Sequence, residues 1–132
     1  MAPPKPPAGP IVQIFGTPDS QPTRACLRCF KERRLEVHLV DIRRKPMAPG
    51  ELRRFVERLG ARALADTEGK PWRDAGLGYL SMSDADLGGR LLADQRLLNL
   101  PLVRAGNAFA AGRDEAAWKR LAADATATVA PR

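Results

Sequence analysis

Three segments near the start of the chain, IVQIF, TRACLRCFKERRL and EVHLVDI, leave little freedom in how it folds. Ile11 to Phe15 form an apolar, β-branched run bounded by Pro10 and Gly16, the pattern of a buried strand. After the turn GTPDSQP, residues Ala25, Cys26, Cys29 and Phe30 recur at i, i+1, i+4 and i+5, which gives a helix one apolar face. EVHLVDI follows within a residue or two as a second strand. A strand, a helix and a strand within about 30 residues make a βαβ unit, whose crossover dictates parallel pairing.

Pro46 and Pro49 then break the chain, and GELRRFVERLG places Leu52, Phe55, Val56 and Leu59 on one helical face that closes at Gly60. ARALAD reads as a short helical turn, and TEGKPWRDAGLGYL, rich in turn formers, as a structured loop. Ser83 is a fair N-cap for a helix over DADLGGRLLADQRLL, with Asp84 and Asp86 in its first turn; Gly88 and Gly89 weaken it by roughly 1 kcal/mol each. LPLVRAGNAFAAG reads as two strands joined through AGN, and RDEAAWKRLAAD as a closing amphipathic helix. The order is β-α-β, two or three helices, then β-β-α.

With 132 residues, 44% of them apolar, the chain suits one domain, expected over residues 11–122. MAPPKPPAGP carries five prolines and lacks the apolar stretch of a secretory signal, so residues 1–10 are expected to be a disordered, proline-rich tail. Residues 123–132, with ATATVAPR at their end, are expected to be a flexible tail. The apolar runs fall short of the roughly 20 residues a bilayer requires. With two cysteines and no export signal, the expected compartment is the cytoplasm.

The formal charge of +7 favours contact with an acidic surface. Its nearest approach to a cluster, Arg33, Arg34, Arg43, Arg44 and Lys45, flanks the second strand and is either solvated surface or a binding patch. Aromatics make up 5% of the chain, too few for a stacking platform, so nucleic acid is not the expected partner.

The opening IFGTPDS, the middle ALADTEGKPWRDAGL and the close LLNLPLVRAGNAFAAGRDEAAW together resemble the ArsC/Spx family. Its members include glutaredoxin-coupled arsenate reductases and the transcriptional regulator Spx. The resemblance implies an α/β, thioredoxin-like fold: β-α-β, a helical insertion and β-β-α, with a small mixed sheet flanked by helices. It also implies a nucleophilic cysteine at the start of the first helix, where the helix dipole and unpaired N–H groups stabilise a thiolate. A gap-free match from Ile14 and Phe15 puts Ser20 at that position and Thr23 where Spx and dithiol glutaredoxins carry a second cysteine. The family's reductase arginines have Leu100 and Asp66 in their places. Pro101 resembles the cis-proline that faces the active-site loop of thioredoxin folds; the alternative is a plain trans edge-strand proline.

Cys26 and Cys29 lie about two turns into the helix, beyond the reach of its dipole. Two uses compete for them, packing as small hydrophobes and redox chemistry. Two cysteines do not complete a structural zinc site, and the single His38 in a strand is a poor helper, so no metal is expected. Ser20 and Thr23 are either capping residues or, with Gln21, Arg24 and Pro101, the wall of an anion site. The functional expectation is a family member with a degenerate active site, acting as a ligand- or protein-binding module. The alternative is a glutathione- or glutaredoxin-dependent, arsenate-reductase-like thiol oxidoreductase using Cys26 or Cys29. No cofactor is expected, with glutathione a candidate ligand or co-substrate; the candidate partners are an acidic protein surface and, by family analogy, RNA polymerase.

Overall fold

The computed structural model describes residues 11–128 of the chain; the proline-rich tail expected over 1–10 lies outside them, as do residues 129–132. Strand β1 (Val12–Gly16) is followed by helix α1 (Gln21–Glu32) and strand β2 (Val37–Asp41). β1 and β2 pair in parallel from Val12↔Val37 to Gly16↔Asp41, as the crossover requires. β3 (Leu102–Ala105) lies antiparallel on the other side of β1 and turns through Gly106 and Asn107 into β4 (Ala108–Ala111), giving the order β2-β1-β3-β4. Gly106, the first residue of this two-residue turn, has φ of +61°, as a II′ hairpin demands.

Alternation along the strands divides the core between the two faces of the sheet. Val12, Ile14, Val103 and Ala105 point to the face covered by α1 and the closing helix α6 (Glu115–Thr128), where they meet Cys26, Phe30 and Trp118. Phe15 and Leu102 point to the opposite face. That face is covered by α2 (Pro49–Leu59), α3 (Ala61–Leu64), α4 (Lys70–Asp74) and α5 (Asp84–Ala93), which bring Leu52, Phe55, Leu64, Trp72 and Leu91. Gly88 suits this packing: a methyl group there would lie 3.8 Å from Val56 Cγ2 of α2.

Several boundaries differ from the sequence reading. α1 starts at Gln21 and stops at Glu32, where Arg34 takes φ of +59° and the Leu35 N–H turns back to Phe30 O at 3.3 Å. The segment expected as loop carries α4 and a 3₁₀ turn at Leu77–Tyr79. α5 ends at Ala93, because Asp94 accepts from the Arg96 N–H and starts a 3₁₀ turn over Gln95–Leu97. α6 continues to Thr128, past the expected boundary at 122, so part of the segment expected as a tail has helical backbone.

Candidate functional site

The site grows from the junction between β1 and α1. The Ser20 N–H donates to Thr17 O at 3.0 Å, which folds TPDS into a tight turn, and Ser20 sits in extended geometry as the N-cap. Its Oγ accepts from the Thr23 N–H at 3.3 Å, and its carbonyl accepts from the Arg24 N–H at 3.0 Å. Pro22 has no N–H to offer, so the Gln21 N–H is the free donor of the first turn among the described residues. The hydroxyl and the helix start satisfy each other, which leaves little of the donor cradle a bare oxyanion needs.

Thr23 does not line an open site, contrary to the sequence reading. It is fully buried, and its side chain lies against Gly16, where a β-carbon would approach Thr23 Cγ2 to 2.8 Å; its hydroxyl has no hydrogen-bond partner. The Gln21 and Arg24 side chains are exposed, and the Arg24 guanidinium donates to Pro18 O at 3.1 Å. The Leu100–Pro101 peptide is cis, and Pro101 itself is buried. Asp66 packs against Gly69, and its N–H donates to Leu97 O at 2.8 Å.

Beside this junction runs a groove of about 460 Å³, walled by Thr17 and Asp19 on one side and by Leu100 and the end of α5 on the other. Ile42, Leu92 and Leu100 give it apolar surface. Its cations are already paired. Arg43 lies 3.2 Å from Asp19, and Arg96 lies 2.8 Å from Asp94. The Thr17 hydroxyl and the Arg43 guanidinium hold the Asp19 carboxyl below its ordinary range, and Arg96 does the same for Asp94. An apolar floor rimmed by both signs of charge suits a small amphipathic molecule or a peptide better than a naked oxyanion. The sequence reading missed these carboxylates. The Asp94-x-Arg96 spacing was available as a local signal, whereas nothing local links Asp19 to Arg43.

The two thiols are placed differently. Cys26 is fully buried among Val12, Ile14 and Phe30, and burial pushes its thiol far above the ordinary range. Cys29 is half-buried, with the Arg33 guanidinium 3.4 Å from its sulfur and 2.8 Å from its carbonyl oxygen. It faces a depression of about 320 Å³ between α1 and α6, whose lining includes Arg113 and Trp118. Neither cysteine stands at the start of the helix. His38 is exposed on β2, and among the described residues no group of three potential ligands is placed to hold a metal ion. Nor is any described helix long and apolar enough to cross a membrane.

The ArsC family model matches residues 15–121. Arsenate reductase from Vibrio cholerae superposes with a TM-score of 0.74 at 18% identity, covering 85% of this chain and 98% of that one. An ArsC family related protein from Bacteroides fragilis superposes with a TM-score of 0.76 at 17% identity, covering 83% and 96%. An arsenate reductase (ArsC) related protein from Brucella melitensis gives 0.62 at 15%, covering 83% and 92%. No curated protein matches the sequence.

Proposed function

We propose, on the premise that the chain belongs to the ArsC family, that it is a member in which binding has replaced thiol chemistry. The groove beside the start of α1 takes a short peptide or a small amphipathic anion, and the protein works as a ligand- or protein-binding module in the cytoplasm. One observation carries this reading. The residue capping α1 is Ser20, with its hydroxyl engaged by the Thr23 N–H, while both cysteines lie deeper in the helix. A hydroxyl without an adjacent base stays protonated and attacks poorly. Arsenate reduction through a helix-start cysteine, which family membership would suggest, has no thiol to begin from.

Glutathione, a peptide with carboxylates and an ammonium, matches a groove rimmed by both signs of charge. An acidic protein surface, with RNA polymerase as the analogy from Spx, is the larger candidate. The second reading, a thiol oxidoreductase, rests on Cys29, a half-buried residue whose sulfur lies 3.4 Å from the Arg33 guanidinium.

Two measurements test the proposal. Glutathione titrated into the isotope-labelled protein should move the amide signals of Thr17, Asp19 and Leu100. Ser20→Cys should create a thiol that titrates below about 8.5. A wild-type arsenate reductase activity that survives Ser20→Ala and disappears with Cys26→Ser or Cys29→Ser would replace this reading with the second.

A further inference from the structure

We propose that the outer edge of β2 is a docking edge, on which an acidic, extended segment of a partner protein adds as another strand. This surface is separate from the groove and does not depend on what the groove binds.

The hydrogen-bond phase of β2 is fixed at both ends. The Val12 N–H donates to Glu36 O at 2.9 Å, and the Ile42 N–H donates to Gly16 O at 3.0 Å. With the register Val12↔Val37, this phase turns the N–H and C=O groups of Val37 and Leu39 away from β1. β2 ends the sheet, and among the described residues nothing takes up those groups. Leu39 is 36% exposed, one of two large apolar side chains left open among the described residues. An added strand would satisfy the free backbone groups and cover Leu39.

Charge selects the occupant. Arg34 precedes the strand, Arg44 and Lys45 follow it, and all three are exposed with no ion pair among the described residues. A second copy is disfavoured: antiparallel pairing of two β2 strands centred on Leu39 brings the turn that carries Arg34 in one toward the turn that carries Arg44 and Lys45 in the other, cation toward cation. Like charges brought together at an exposed edge repel, the more so at low salt. The same cations attract a segment with acidic residues at both ends. Arg34 also holds a left-handed backbone, φ +59°, at a position glycine would fill with less strain.

The probe is a synthetic peptide with a Val-Thr-Val-Thr-Val centre and two glutamates at each end; its control carries lysines in their place. With the labelled full-length chain, the glutamate peptide should slow exchange of the Val37 and Leu39 amides, and the lysine peptide should not. Leu39→Pro removes an outward N–H without touching the bonds to β1 and should weaken binding at least about tenfold. Leu39→Glu, which leaves the backbone intact, serves as a second variant and should weaken it comparably. Joint replacement of Arg34 and Arg44 by glutamate should reverse the preference between the peptides. The proposal fails if the glutamate peptide gives no protection at about 1 mM, if it binds both Leu39 variants as tightly as the wild type, or if the Val37 and Leu39 amides become protected with protein concentration alone.

Discussion

Cys26 shows how one side chain's position settles its chemistry. Its sulfur lies in the layer between the sheet and α1, where a thiolate would have neither water nor a cation beside it. Desolvation therefore raises its pKa well above the value of about 8.5 it takes in the unfolded chain. The sign of the linkage follows. Below that value both states hold the proton, and the stabilisation is fully present. As pH rises past it, the unfolded chain releases the proton while the native chain keeps it, so stability falls. One proton contributes at most about 1.4 kcal/mol per pH unit. Urea midpoints measured between pH 7.5 and 10 should decline, and Cys26→Ala should flatten part of that decline; an unchanged slope would mean that Cys26 is not buried as a thiol. A thiol reagent applied to the native protein should modify Cys29 before Cys26, because only Cys29 is partly exposed.

Between elements, a tight constraint lies where β1 hands over to α1. Gly16 ends the strand, and the buried Thr23 side chain fills the space where any β-carbon on Gly16 would go. Gly16→Ala should cost about 1–3 kcal/mol through overpacking. Thr23→Ala should restore part of that loss in the double variant, and a denaturation cycle giving no coupling would break the link. Thr23→Val, which swaps an unpartnered hydroxyl for a methyl group, should be nearly neutral by itself but should not rescue Gly16→Ala. This junction also marks how far the sequence can be read. The βαβ unit, the α2 face and the hairpin were legible because each is written in local periodicity or turn chemistry. Ser20 as a cap was legible for the same reason. The contact between Gly16 and Thr23 was not, since a glycine's neighbour is invisible until helix and strand are packed. The Asp19–Arg43 pair spans 24 residues and is created by parallel pairing, which brings the ends of β1 and β2 together. The Cys-x-x-C spacing invited a redox reading. Its phase on the helix, two turns past the cap, pointed instead to the core position that Cys26 occupies.

At the scale of the whole molecule, one sheet of four strands divides two apolar layers, and each layer holds one of the chain's two tryptophans. Trp118 lies with Phe30 and Cys26 under α1 and α6; Trp72 lies with Phe55 and Leu64 under the helical insertion. β1 and β3 contribute to both layers, Val12 and Val103 to one and Phe15 and Leu102 to the other, so neither layer can come apart without disturbing strands the other needs. That shared wall predicts one cooperative transition. Trp72→Phe and Trp118→Phe each leave a single fluorescent reporter, one per layer. Trp118→Phe removes an indole N–H that has no partner, so its cost is limited to lost volume. Urea unfolding followed by either reporter should give the same midpoint. Phe30→Ala should then destabilise by about 3–5 kcal/mol and should lower the midpoint reported by Trp72 as much as that reported by Trp118, although Phe30 lies across the sheet from Trp72. Phe55→Ala should do the same in the opposite direction. If either substitution moves only the reporter in its own layer, the helical insertion unfolds separately from the βαβ unit, and the sheet does not couple its two faces.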